Sequence, residues 1–362
     1  MGEFMDDVQI DRFSVSEQQH QLRFTGYGGE YFRIWIVNLL LTIVTVGLYS
    51  PWAKVRRLQY FYRHTELAGS GFDFHGSSFR ILIGRIVAAM MFGVYNYSVK
   101  MQSLWTIAIV AVIAIIMPWL LRNSLRFRLY NSSWRGTRFH FSGSLRGAYR
   151  VFLLNTLLSL ITLYLLAPFA HQRLKAYQHG NSWFGQTRFS FHAGAGKFYR
   201  TYLLLLAGSF LVLLIAGFTG LLPLLAQLSS QASAKQIDPG RVVYFIITTW
   251  ALIILMGLVV GPLFHALITN LIWSNTRLGE HRIECRMSAL RLIWITVSNF
   301  VLVVVTLGFF APWAMVRMAR FQADSIRLLA ASDLQEFVAA EHEAIGAFGE
   351  EAASIFDIDI AL

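Results

Sequence analysis

Seven apolar stretches, most of about 20 residues, decide what this chain can fold into; they lie near 31–53, 80–98, 101–121, 149–170, 199–228, 242–272 and 291–316. A hydrocarbon core of roughly 30 Å is crossed by about 20 helical residues at about 1.5 Å each. Lipid cannot satisfy irregular backbone, so such stretches should be helices. With 56% hydrophobic and only 14% charged residues, the chain falls outside soluble composition. The expected fold is a membrane all-α bundle with internal repeats and about seven apolar segments, plus short cytoplasmic β-strands in the repeated loops. Three regions follow: a polar N-terminal segment with a short strand at 1–30, a repeated transmembrane domain at 31–322, and an acidic cytoplasmic tail at 323–362.

Charge sets the orientation. No Asp or Glu occurs between Asp73 and Asp238, whereas the loop after residue 121 carries Arg122, Arg126, Arg128, Arg135, Arg138 and Arg146. Loops rich in Arg and Lys stay in the cytoplasm, which puts these inside and the linkers near 99–102 and 229–241 outside. The start lacks the basic and apolar pattern of a cleaved signal, and a native start at Met5 is an open alternative. The tail reverses the sign, with Glu341, Glu343, Glu350, Glu351, Asp357 and Asp359 among small apolar residues. It reads either as a solvated helix or as a segment that docks on its own Arg-rich loops.

Self-comparison reveals copies. Pro51-Trp52, Pro118-Trp119, Pro168-Phe169 and Pro312-Trp313 each close an apolar segment, with Pro262-Leu263 as a weaker fifth. His64, Asn131, Asn181 and Asn275 stand thirteen residues after Pro51, Pro118, Pro168 and Pro262. Each opens a polar element with alternating residues such as Phe72-Asp-Phe74, Phe139-His-Phe141 and Phe189-Ser-Phe191, whose period of two predicts short strands. Proline ends or kinks a helix and tryptophan rests at headgroup depth, so Arg56, Arg122, Arg173 and Arg317 just beyond are candidate contacts for anionic headgroups. Asn38, Asn155 and Asn299 each precede a proline by thirteen residues inside an apolar segment. They either bond between helices, at about 0.6 kcal/mol each, or share a polar ligand. Two topologies fit: full crossing by every segment, or re-entry of 31–53, 149–170 and 291–316, which keeps every repeated loop inside.

The strings Asn38-Leu-Leu-Leu-Thr-Ile-Val-Thr-Val-Gly-Leu-Tyr-Ser-Pro-Trp-Ala-Lys-Val-Arg56 and Val305-Thr-Leu-Gly-Phe-Phe-Ala-Pro-Trp-Ala-Met-Val-Arg317 resemble the YjgN family of bacterial inner-membrane proteins. The resemblance covers nearly the whole chain and includes Gly349-Glu-Glu351 and Phe356-Asp-Ile-Asp359 near its end. The copies at Pro168 and Pro262 depart from it, with Phe169 and Leu263 in place of Trp. It implies location in the bacterial inner membrane as a multi-pass protein and no catalytic residues.

Two functions fit these features. One is a facilitator or transporter handling a small solute or an anionic lipid, with Arg85 and His265 as candidate path residues; the apolar segments contain no carboxylate for a proton relay. The other is a scaffold that binds anionic lipid or a partner membrane protein through its Arg-rich loops. No nucleophile elbow, phosphate loop or zinc motif supports an enzyme, and no cofactor is expected. A lone cysteine, Cys285, and scattered histidines give no metal site. The basic charge is parcelled between apolar segments, which argues against nucleic acid.

Overall fold

A computed structural model describes residues 18–101, 105–218 and 239–344. Its organising element is an eleven-stranded antiparallel sheet in the order β1-β11-β10-β9-β8-β7-β6-β5-β4-β3-β2. β1 (Gln18–Gln21) pairs with β11 (Ile326–Ala330), and β2 (Arg23–Phe24) pairs with β3 (Thr65–Leu67). Only Leu22 separates β1 from β2, and its N–H still donates to the Ile326 carbonyl at 3.1 Å. One bent stretch of chain therefore joins both edges of the sheet, leaving a nearly closed barrel with little edge exposed.

The intervening strands are four tight hairpins. They are β3–β4 (Ser70–Phe74), β5 (Ser132–Trp134) with β6 (Thr137–Phe141), β7 (Ser182–Phe184) with β8 (Thr187–Phe191), and β9 (Thr276–Leu278) with β10 (His281–Cys285). Two-residue connections match strand twist when their backbone is left-handed, and Ala68-Gly69 (φ +48°, +73°) and Arg135-Gly136 (φ +47°, +83°) adopt that form. Arg135 offsets the strain of a side chain there by donating to Ser70 Oγ and the Ala68 carbonyl, both at 2.9 Å.

Period-two alternation sends one side-chain set into the barrel. Leu67, Trp134, Phe184, Leu328 and Ala330 form its buried core, with Phe72, Phe139 and Phe189 packed around them. A helix at 334–344 fills the end that carries the hairpin turns: Leu334 and Val338 join the core, and Phe337 stacks on Phe184 at 5.9 Å. Glu341 is buried and its carboxylate accepts from the Gln186 N–H and Thr187 Oγ1. Residues 326–344, placed by sequence in the acidic tail, thus belong to the barrel; 345–362 lie outside the described residues.

The described helices between Gly28 and Asp324 leave from and return to the opposite rim. Three of the returns are short hairpins: Gly28–Val44 with Ser50–Arg63, 145–161 with Ala167–Gly180, and Ala289–Val305 with Ala311–Asp324. Two are long: Ser78–Lys100 with Trp105–Tyr130, and Ala195–Ala216 with Pro239–Trp273. The short ones turn by one device. Gly47 N–H reaches the Thr42 carbonyl, Tyr164 N–H the Ser159 carbonyl and Gly308 N–H the Val303 carbonyl, at 2.7, 2.6 and 2.7 Å. That closes each first helix with a left-handed residue, at Val46, Leu163 and Leu307. Thr45, Thr162 and Thr306 then accept from the N–H of Tyr49, Leu166 and Phe310, which caps the returning helix. The repeated Thr-x-Gly-x-x-x-Pro string is this turn. In the middle copy Tyr164, at φ +64°, stands where the others have glycine. Tyr164→Gly is expected to raise stability in detergent by about 1 kcal/mol, read by chemical denaturation.

The seven-span all-α bundle is therefore incorrect. Segments 31–53, 149–170 and 291–316 are each two helices folded back at an apolar turn, a reversal that counting apolar length cannot detect. Among the described residues only Ser78–Lys100, Trp105–Tyr130 and Ile246–Trp273 are long and apolar enough to cross a membrane. The short strands, expected in the repeated loops, close into one barrel because their partners come from hairpins far apart in sequence. Segment 199–228 begins in Ala195–Ala216 and runs beyond residue 218, outside the described residues.

Candidate lipid-facing site

The helices pack in a cycle. Each lies on the next in chain order, and Ala311–Asp324 packs back on Gly28–Val44. Strand alternation tells the outer face from the inner one. Asp73 lies between inward-pointing Phe72 and Phe74, so it points out of the barrel, and Arg63 Nε donates to it at 3.0 Å. Arg63, Arg56 and Trp52 share one stripe of their helix, which is thus exterior. Arg138, between Thr137 and Phe139, likewise points outward and stacks on Tyr130 at 5.1 Å; Trp119 and Arg126 share the Tyr130 stripe. Trp52, Trp119 and Trp313 are partly exposed, while Pro51, Pro118, Pro168, Pro262 and Pro312 are buried against neighbouring helices. Pro51, Pro168 and Pro312 open returning helices, whereas Pro118 and Pro262 lie inside continuous ones. Thirteen residues from each proline to the strand element put these prolines about 20 Å above the barrel rim.

Of the four arginines singled out beyond the prolines, two are engaged internally. Arg122 Nε donates to the Gly143 carbonyl at 2.6 Å, and Arg317 Nη1 donates to Ser298 Oγ at 2.8 Å and to Asn299 Oδ1 at 3.3 Å. Arg56 and Arg173 stack over Tyr49 and Phe169 at 5.8 and 5.1 Å, and neither forms an ion pair among the described residues. Asn38, Asn155 and Asn299 are all buried but sit on three separate helical hairpins. Asn299 Nδ2 donates to the Ala314 carbonyl at 3.2 Å, and Asn38 Oδ1 is buried without a partner. Arg85 and His265 are exposed rather than enclosed within a buried path, and Arg85 donates to Ser50 Oγ.

The seam where the first and last hairpins meet holds residues that sequence reasoning missed. A cleft of about 590 Å³ between them is lined by Arg291, Arg320, Tyr27, Trp294, Trp313 and Asp324, and it adjoins one of about 650 Å³ that adds Arg23. Arg320 Nη2 is held by the Gly26 carbonyl at 3.0 Å, and Arg291 lies over Phe321 at 5.5 Å. Guanidinium groups beside exposed indole rings match a phosphate at an interface with acyl chains above. No local pattern marks this seam, because the first and last hairpins that form it lie some three hundred residues apart in the chain.

The sequence profile of a family described as "Bacterial protein of unknown function (DUF898)" matches residues 19–355. The chain belongs to this family. Proteins named "Inner membrane protein YjgN" are similar to the chain: that of Salmonella typhimurium is 28% identical over 42% of this chain and 39% of its own length. Those of Escherichia coli K12 and O157:H7 are both 30% identical, over 35% and 36% of this chain and 32% and 33% of their own lengths. The chain thus matches between a third and two-fifths of these relatives' length. No solved structure matches it. With these relatives, and with three helices among the described residues long and apolar enough to span, this DUF898 member is a multi-pass protein of the bacterial inner membrane.

Proposed function

We propose that this protein holds and handles phospholipid inside its ring of helices instead of conducting a hydrated solute. The observation that carries this reading is the two-sided exposure of Ser78–Lys100. Phe79, Ile83, Ile86, Met90, Val94 and Tyr97 form one bare stripe of that helix. Gly84, Ala88, Phe92, Tyr95 and Val99 form a second, on the opposite side. A helix in a globular bundle buries one of its faces; here none of the most apolar stretch is buried. Bilayer lipid covers the outer stripe, and the inner one needs an apolar partner of its own. The ten described helices of the cycle, at about 10 Å spacing, make a circle with a radius of roughly 16 Å, too wide for the walls to fill.

Two further features favour lipid. The barrel axis is blocked by Trp134, Phe184, Leu334 and Val338, so no water-filled path follows it. Each long hairpin stands between two short ones, so above the short tips the wall has gaps through which lipid enters sideways. The tips are apolar, with Val46, Leu163 and Leu307 exposed at 92%, 85% and 89%, as lipid contact requires. We read the five helical hairpins as copies of one unit and the barrel with its arginines as cytoplasmic, following the positive-inside rule.

The test uses phospholipid with a photoactivatable acyl chain, reconstituted with the protein and mapped by mass spectrometry. Adducts are expected on both stripes, at Ile86 or Met90 and at Phe92 or Tyr95, while the vesicles retain trapped sucrose and phosphate. Adducts confined to the outer stripe would favour a scaffold that grips lipid or a partner membrane protein at the seam cleft, and would overturn an internal lipid. Leakage of the trapped solutes would restore a solute path.

A further inference from the structure

We propose that Lys54, Arg57, Arg85 and Arg128 form a phosphate-binding site inside the ring, between the barrel rim and the level of the prolines. The placement follows from the faces these helices turn toward the barrel axis. On Ser50–Arg63, opposite the exterior stripe of Trp52, Arg56 and Arg63, runs a stripe of Ser50, Lys54, Arg57 and Phe61 at helical spacing. Phe61 stacks at 5.5 Å on Phe24, whose ring belongs to the buried set between barrel and helices, so this stripe faces inward. On Trp105–Tyr130, Arg128 lies opposite the exterior stripe of Trp119, Arg126 and Tyr130 and likewise faces inward. Arg85 reaches the same space by donating to Ser50 Oγ.

The three guanidinium charges all act on Lys54. Burial lowers the pKa of Lys54, and the charges of Arg85, Arg57 and Arg128 lower it further. Among the described residues none of the four pairs with a carboxylate. Like charges gathered without a counter-ion repel, and an anion drawn between them relieves that cost. Guanidinium groups offer forked donors to phosphate oxygens and an ammonium adds a point charge, the donor set a phosphate takes. Directly above Arg85 runs the bare inner stripe of Gly84, Ala88, Phe92, Tyr95 and Val99. Cations at the base and a small-residue apolar wall above match a phospholipid with its phosphate toward the barrel and its chains along the wall.

The lipid identity of the ligand rests on the reading of an internal lipid; the anion site does not. The test therefore carries two arms, on wild type and on Arg57→Gln/Arg128→Gln, with Arg57→Lys/Arg128→Lys as a variant that keeps charge and bulk. In the first, purified protein in mild detergent is mixed with phosphatidylglycerol or phosphatidylcholine, and bound lipid is counted by native mass spectrometry. Wild type should prefer the anionic lipid, the Gln variant should lose that preference by about tenfold, and the Lys variant should restore most of it. In the second arm, millimolar inorganic phosphate is added without lipid and the melting temperature is followed. A rise in wild type that is absent from the Gln variant supports the site with free phosphate as its ligand, even if no lipid binds. Lipid binding whose anionic preference survives in the Gln variant overturns the site and leaves the internal lipid standing. Neither lipid preference nor a phosphate response in wild type overturns the site as well.

Discussion

Replacing Phe184 by alanine is expected to cost about 3–5 kcal/mol of stability, the range for truncating a fully buried aromatic side chain. Phe184 is 1% exposed and touches rings contributed by three other parts of the chain: Trp134 at 5.9 Å, Phe139 at 5.0 Å and Phe337 at 5.9 Å. Neighbouring β-hairpins cannot collapse into the space without breaking the ladder pairs Phe139 with Phe184 and Trp183 with Arg188, so most of the cavity stays. Phe337→Ala should also destabilise, and a double-mutant cycle should return a coupling of about 0.5–1.5 kcal/mol beyond additivity. Guanidinium denaturation in detergent, followed by near-ultraviolet circular dichroism, reads both. A Phe337→Ala protein as stable as wild type would show that 334–344 is a solvated appendage and not the closure of the barrel. Glu341 gives an independent check, since its buried carboxylate accepts from the Gln186 N–H and the Thr187 hydroxyl, and losing these charge-assisted bonds should cost about 1.5–3 kcal/mol.

The sequence showed the parts of this fold more readily than their assembly. Phe-x-Phe alternation located β4, β6 and β8, and the Pro-plus-thirteen spacing located the start of each hairpin, because both are local signals. β11 escaped: Ile326-Arg-Leu-Leu-Ala330 has neither Phe-x-Phe nor a hairpin partner of its own, and it pairs with β1 across most of the chain. Closure was equally hidden, since nothing local states that Gln18–Gln21 and Arg23–Phe24 grip opposite edges of one sheet. Apolar length also misled at Thr45-Val-Gly47 and Thr306-Leu-Gly308, where hydrophobic residues build a reversal through left-handed backbone instead of a crossing. Repeat comparison worked against the inner cations as well. Three residues after each proline stand Lys54, Leu121, His171, His265 and Met315, so an average over copies erases the one lysine that faces Arg85 and Arg128.

Acidification from pH 7 to pH 4 is expected to destabilise the barrel–helix junction by roughly 3 kcal/mol through His179. Burial, and after it the nearby charge of Lys175, pushes His179 down to about 4. The ring stacks on Phe191 at 5.7 Å, meets Trp273 edge-on at 5.3 Å and places Nδ1 3.3 Å from Thr276 Oγ1. In the unfolded chain the imidazole titrates near its ordinary value of about 6.5. Above that pH both states are neutral and stability is at its full value. As pH falls below about 6.5 the unfolded chain takes a proton that the folded one refuses, so stability drops until the folded imidazole itself titrates near 4. Below that the contribution is gone and the curve flattens. His171, one helical turn pair away on the same helix, is pushed to about 4 by the same two causes and deepens the loss. His179→Gln should flatten the profile between pH 6.5 and 4 by about half while leaving the His171 share. Denaturation midpoints measured across that range decide it, and a wild-type midpoint that does not move would place both imidazoles in contact with water.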